Sequence, residues 1–211
     1  ATIFQPQSAQ DAQGRTIDPE TGKTYEVGAK GEFFDKRLNA SIAHFWMKTD
    51  NTAEETGQLT PSGDVAYRAV NGATRRGWEL ELSGELARGW QVQGSLVRQN
   101  SSLTSASKYP QYQFKLGSTY RFEGGTLHGL TVGASTRWQS KTATSDSYRT
   151  LEQGAYALVD LMARYQVNRQ LSLSLNVSNA LDKKYLSGMS SLGGLYYTWG
   201  APRSVNVGAR Y

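Results

Sequence analysis

The chain has 211 residues and a net charge of +5, and it carries 5 Trp, 12 Tyr and 6 Phe, too many aromatics for a chain that avoids a packed state. Its most apolar windows, such as residues 155–163, fall far short of the roughly 20 residues that a spanning helix needs, so a helical membrane protein is excluded. Cysteine is absent, which excludes disulfides and thiolate metal sites, and His44 and His128 are the only imidazoles. The chain opens at Ala1 without a basic n-region or an apolar h-region, so either a targeting segment has been removed or the chain is a piece of something longer.

Period two then runs through the sequence, and it predicts strands at about 1–6, 24–31, 38–49, 75–86, 90–98, 111–122, 130–139, 155–165, 171–179 and 200–211. In the fourth, Trp78, Leu80, Leu82 and Leu86 alternate with Glu79, Glu81, Ser83 and Glu85. Trp90, Val92, Gly94 and Leu96 alternate with Gln91, Gln93 and Ser95. Leu171, Leu173, Leu175 and Val177 alternate with Ser172, Ser174, Asn176 and Ser178. Each strand has one apolar and one polar face, which suits both a soluble sandwich and a transmembrane barrel. The connections separate the two. Short turns at 32–37, 87–89, 123–129 and 166–170 alternate with long polar loops at 7–23, 50–74, 99–110, 140–154 and 180–199, the asymmetry of an outer-membrane barrel. Aromatics add to this. Phe33, Phe34, Trp90, Phe122, Tyr165 and Tyr211 mark the short-turn ends, and Trp46, Trp78 and Trp138 lie toward the other end, as two interfacial belts would. The predicted fold class is all-β, an antiparallel transmembrane β-barrel, with the even positions of 78–82 and the odd positions of 171–177 facing lipid.

The C-terminal third carries motifs. Leu175-Asn176-Val177-Ser178-Asn179-Ala180-Leu181-Asp182-Lys183-Lys184-Tyr185 resembles the N-hydrophobic-x-N-L-x-D-x-x-Y element of TonB-dependent outer-membrane receptors. The run Tyr197-Thr198-Trp199-Gly200-Ala201-Pro202-Arg203 resembles the Y-G-x-P-R segment that leads into their last strand. Phe4-Gln5-Pro6-Gln7, Asp18-Pro19-Glu20-Thr21-Gly22, Tyr25-Glu26-Val27-Gly28-Ala29-Lys30 and Leu38-Asn39-Ala40-Ser41 follow the order seen in ferric-siderophore receptors, especially the ferrichrome, coprogen and pyoverdine group.

This resemblance implies that residues 1–211 are the C-terminal part of a barrel of about 22 strands, with the plug domain absent from the chain. It implies residence in the outer membrane of a Gram-negative bacterium and energy-dependent uptake of a ferric siderophore, with a hydroxamate type favoured by the subgroup. The implied partners are the ferric siderophore, the TonB energy-transducing complex acting through an N-terminal segment outside this chain, and outer-membrane lipid with lipopolysaccharide. Iron arrives inside the chelate, so no cofactor is expected. The candidate ligand contacts are Tyr196, Tyr197 and Trp199 in the final outer loop, with Tyr148 and Arg149 in the loop before it. Stacking, hydrogen bonding and cation–π contact suit a flat chelate, and Gly193-Gly194 lets the final loop fold inward. Tyr197 and Trp199 also suit an interfacial belt. The competing functional reading is a small self-contained outer-membrane β-barrel with a structural, adhesive or passive-pore role.

Catalytic readings lack support. The two histidines have no Ser and Asp at triad-like spacing, no Gly-Lys-Ser/Thr ends a glycine-rich loop, and Asp11, Asp18 and Glu20 fail the spacing of a calcium loop. Glu79, Glu81 and Glu85 share a strand face, where pairing with a plug or with Arg and Lys of neighbouring strands explains them better than catalysis. The basic residues are scattered and no nucleic-acid-reading motif accompanies them, so no nucleic-acid partner is expected.

Overall fold

The computed structural model describes residues 2–102, 109–145, 148–190 and 195–211. Among these the chain is built from antiparallel strands: β1 (Thr2–Gln5), β2 (Glu20–Phe33), β3 (Leu38–Asp50), β4 (Thr52–Leu59), β5 (Val65–Val70), β6 (Thr74–Ala87), β7 (Trp90–Ser101), β8 (Tyr112–Arg121), β9 (Leu130–Gln139), β10 (Thr142–Ser145), β11 (Thr150–Gln153), β12 (Tyr156–Gln166), β13 (Ser172–Ser178), β14 (Leu186–Ser190), β15 (Tyr196–Trp199) and β16 (Ser204–Arg210). One 3-10 turn, Gly125–Leu127, is the exception. Ten strands form one sheet in the order β1-β2-β3-β6-β7-β8-β9-β12-β13-β16, and every predicted strand is one of them. The remaining six form three two-stranded hairpins, β4-β5, β10-β11 and β14-β15.

Those hairpins correct the sequence reading, which placed loops at 50–74, 140–154 and 180–199. Thr52–Leu59 reads Thr-Ala-Glu-Glu-Thr-Gly-Gln-Leu, polar on both sides, so period two leaves no trace in it. Such a pair is held by its own ladder, as in Thr52↔Val70 and Ala53↔Ala69, and needs no apolar stripe. All three hairpins lie within the long connections. The short connections are tight. Phe34, Asp35 and Lys36 turn the chain between β2 and β3 with φ of 54°, 55° and 67°, and the Arg37 N–H donates to Phe34 O. Between β6 and β7, Gly89 takes φ 77° and its N–H donates to Glu85 Oε1 at 3.0 Å.

Two compact units divide the chain. The first gathers Ala1–Val27 and His44–Gly77 with a short piece starting at Asn100. In it the Asp11 carboxylate accepts the N–H groups of Gln13 and Arg15, each at 2.9 Å, and Arg15 Nε also donates to it. These bonds, the Arg15 backbone N–H foremost, hold its pKa below the ordinary 3.8. The β4-β5 hairpin buries Ala66, and its turn is knitted by Thr60, Ser62 and Asp64, with Thr60 Oγ1 2.9 Å from Ser62 Oγ. Asn51, at φ 61°, donates from Nδ2 to Pro19 O while its own carbonyl accepts from Gln7 Nε2.

The second unit, Gly28–Ala43, Trp78–Gln99 and residues 105–211, carries most of the wall. Register puts whole rows of apolar side chains on one face: Leu96, Phe114 and Trp138 in one row, Tyr120, Val132, Ala163, Leu175 and Val207 in another, Tyr165, Leu173 and Ala209 in a third. The intervening positions bring Ser95, Lys115 and Arg137, or Gly117, Ser135 and Asp160, to the opposite face. This apolar face has no second layer over it. Leu116, Leu161, Leu173 and Leu175 stay 41–45% exposed, whereas a sandwich would bury them against a facing sheet. Exposed leucines in register on one face and polar residues on the other are what a barrel wall presents to lipid and lumen. Trp90 pairs with Tyr120 on the apolar face and its indole N–H donates to Ser118 Oγ at 2.8 Å.

Gly84 explains the one break in the alternation of β6. Its φ is +146°, and a Cβ there would lie 2.0 Å from Arg37 O, the carbonyl that accepts the Glu85 N–H at 2.8 Å. Only glycine lets the two strands approach so closely.

Candidate functional site

The C-terminal motif folds into a knot that positions the last outer hairpin. Asn179 follows β13 at φ 48°, a conformation that asparagine tolerates better than most residues. Its side chain is buried and fully used: Nδ2 donates to Lys183 O at 3.0 Å and to Ala201 O at 3.1 Å, and Oδ1 accepts the Lys183 N–H at 2.9 Å. The Asn179 N–H in turn donates to Asp160 Oδ1 at 2.8 Å, and Ala180 N–H to Val159 O, which fixes the turn to β12. Asp182, at φ 50°, accepts the Arg203 N–H at 3.0 Å. The Asn, Asp and Pro-Arg positions of the two motifs thus close on each other through backbone groups.

Tyr185 completes the arrangement. Its ring lies 4.7 Å from that of Tyr156, and Gly200 passes so close that a Cβ there would stand 2.0 Å from the ring. The Gly200 N–H donates to Tyr185 O at 2.8 Å, and Gln153 Oε1 accepts the Leu186 N–H at 2.7 Å. The β14-β15 hairpin therefore leaves the wall with both of its feet pinned.

That hairpin carries the predicted aromatics. Tyr196, Tyr197 and Trp199 are three of the four residues of β15, each more than half exposed. Tyr197 and Trp199 share a side, with rings 5.8 Å apart and edge to face, and Tyr196 takes the other side, as neighbours in a strand must. Tyr148 and Arg149 lie in the β10-β11 turn, and Tyr148 is 93% exposed. The glycines expected to loosen the final loop, Gly193 and Gly194, lie outside the described residues.

Sequence reasoning named no ligand contact on the polar face of the wall. A cavity of about 520 Å³ there is lined by Glu81, Gln93, Lys115, Arg137 and Asp160, and one of about 260 Å³ nearer the long loops by Gln113, Arg137, Tyr156 and Tyr185. Apart from Tyr185, these residues sit at the polar positions of predicted strands, and it is the register between strands that brings them together. Among the described residues no ion pair joins Glu79, Glu81 or Glu85 to an Arg or Lys of a neighbouring strand. Among the described residues Glu81 accepts from Ser41 Oγ at 3.4 Å and Glu85 serves the turn at Gly89.

A family model described as TonB dependent receptor-like, beta-barrel, matches residues 1–180. The chain belongs to that family. It is 41% identical over 219 residues to the ferric-pyoverdine 358 receptor of Pseudomonas putida, covering 99% of the chain and 26% of that protein. It is 37% identical over 229 residues to the ferripyoverdine receptor of Pseudomonas aeruginosa, covering 99% of the chain and 27% of that protein. The crystal structure of the ferripyoverdine receptor of the outer membrane of Pseudomonas aeruginosa bound to ferripyoverdine superposes on the whole chain with a TM-score of 0.87 at 36% identity, over 30% of that receptor. The chain thus spans about a quarter of the length of the curated relatives it matches. It is an all-β, outer-membrane TonB-dependent receptor barrel chain and not an enzyme, and the polar face of its wall is the lumen side.

Proposed function

We propose that the chain forms the C-terminal part of the barrel of a receptor that takes up a ferric siderophore across the outer membrane, with a ligand of hydroxamate or mixed hydroxamate type. The carrying observation is the likeness to the ferric-pyoverdine 358 receptor, which runs over 99% of this chain at 41% identity. The geometry supports it. Three exposed aromatics stand on a hairpin whose feet are pinned by Asn179 and Tyr185, a rigid aromatic surface of the kind that holds a flat chelate by stacking.

In this reading the outer hairpins and the upper lumen wall capture the chelate, iron travels within it as cargo, and TonB supplies the energy through a segment outside these residues. Outer-membrane lipid and lipopolysaccharide cover the apolar face. The test is made in the full-length receptor. Cells carrying it as their sole ferric-siderophore receptor should accumulate labelled iron from ferric pyoverdine or from a ferric hydroxamate. Alanine at Tyr196, Tyr197 or Trp199 should weaken binding by about 1–3 kcal/mol for whichever residue stacks on the chelate. Absence of uptake for every ferric chelate offered refutes the function, and unchanged affinity in all three variants refutes the placement of the ligand.

A further inference from the structure

Lys115 and Arg137 are direct cross-strand partners on the lumen side of β8 and β9. Like charges set opposite each other destabilise a sheet unless something negative lies between them. Nothing in the described wall does this. Among the described residues neither cation has an ion-pair partner within 4.0 Å, since the ion pairs formed are Arg15–Asp11, Lys36–Glu32, Lys48–Asp50, Arg68–Glu54 and Arg88–Glu123. The two acids that share their cavity are turned to other tasks: Asp160 accepts the Asn179 N–H and Glu81 accepts from Ser41. Both cations are exposed, and the two lumen-side cavities meet at them. Neutral donors flank them on the side of the long loops, where Gln113, Gln139 and Tyr156 occupy one cross-strand row.

We propose that Lys115 and Arg137 form an anion subsite on the upper lumen wall that holds a negatively charged group of the incoming chelate, such as a carboxylate or a catecholate oxygen. The proposal rests on the siderophore-uptake reading and names the charge of the ligand at one place. A guanidinium and an ammonium at neighbouring register positions give planar and point-charge donors to one anionic group, while Gln113, Gln139 and Tyr156 can hydrogen-bond its uncharged neighbours.

The same face supplies an internal control. Arg121 and Arg164 lie at its other end, and they line a cavity of about 200 Å³ with Gly129, Thr131 and Gln166. Arg121 is six residues from Lys115 on β8, roughly 20 Å at about 3.4 Å per residue. Neutralising this second pair removes the same charge from the same wall without touching the subsite.

The experiment uses the full-length receptor in detergent micelles. Its affinities for ferric pyoverdine, a triply negative ferric tris-catecholate and the hydroxamate ferrioxamine B are measured at several salt concentrations. In Lys115→Gln/Arg137→Gln, an anionic chelate bound by the wild type should bind about tenfold more weakly and lose salt dependence. Arg121→Gln/Arg164→Gln should bind it as the wild type does. Lys115→Arg/Arg137→Lys, which keeps both charges, should restore affinity to within about twofold. If the double Gln variant fails to fold, judged by heat-modifiable gel mobility, the single variants are read instead, each expected to lose about threefold. Unchanged affinity for the anionic chelate overturns the subsite, and so does an equal loss in the two double Gln variants. Binding of ferrioxamine alone by the wild type also overturns it. So does a loss of thermal stability at unchanged affinity, which would mean that the pair holds a carboxylate of the protein itself. A wild-type receptor that binds no ferric chelate refutes the uptake reading and not the subsite alone.

Discussion

Asn179 offers a test in which two physical effects can be separated at one position. Replacement by alanine removes three hydrogen bonds made by a buried side chain, at 2.9–3.1 Å, and leaves the carbonyls of Lys183 and Ala201 and the N–H of Lys183 without these partners. At about 0.5–1.5 kcal/mol net for each bond, this costs roughly 2–4 kcal/mol. The backbone adds to that. At φ 48° a Cβ-bearing residue without a compensating polar side chain pays about 1 kcal/mol more. Asn179→Gly loses the bonds and escapes the backbone cost, so it should lie about 1 kcal/mol above Asn179→Ala, with both well below wild type. Asn179→Asp keeps the acceptor for the Lys183 N–H, loses both donors and sets a carboxylate against two carbonyls, so it should approach the alanine value. Hydrogen exchange of the Lys183 and Arg203 amides in the full-length receptor reads the opening free energy of this turn directly. Wild-type protection of Lys183 in Asn179→Gly would show that the side-chain bonds do not hold the turn. Equal protection in the Ala and Gly variants would show that the positive φ costs nothing there.

Gly84→Ala should drive a Cβ against Arg37 O and lower the stability of the folded barrel by about 2–4 kcal/mol, read as a lower urea midpoint in lipid vesicles. The Asp11 turn should depend on pH with a definite sign. Because its folded pKa lies below 3.8, the stability it contributes is present above that value and is lost as pH falls through the lowered folded pKa, so the Arg15 amide should lose protection as pH falls below 3.8. Asp11→Asn should remove that pH dependence. Protease added to intact cells should cut the β4-β5 turn near Pro61 and spare the Arg88–Gly89 turn between β6 and β7; the reverse pattern would invert the topology.

All ten wall strands were legible because a wall between lipid and water must alternate, and alternation survives in residues as different as Trp78-Glu79-Leu80 and Leu173-Ser174-Leu175. The three outer hairpins were not legible, because a strand wetted on both sides has no reason to alternate, and Glu54-Glu55 or Tyr196-Tyr197 shows none. The family resemblance located Asn179, Asp182 and Arg203 without revealing their work. Hydrogen bonds from side chains to backbone groups up to 22 residues away leave no periodic signal. Tyr196, Tyr197 and Trp199, expected in a loop, stand exposed on a strand, whereas Lys115 and Arg137 were not singled out. Their significance comes from register between strands, and a strand read by itself does not contain its register.

The hairpins also bear on how such a receptor can change over time. Since β4-β5 closes its own hydrogen bonds, a pair of residues added to or taken from both of its arms alters its reach without shifting the pairing of the wall strands that flank it. The wall, whose register must keep leucines toward lipid, has no such freedom: a single inserted residue would turn every following side chain of that strand to the wrong face. Variation in length should therefore collect in the outer hairpins and leave the strands of the wall at fixed length, with β14-β15 the least free of the three because Asn179 and Gly200 clamp where it begins and ends.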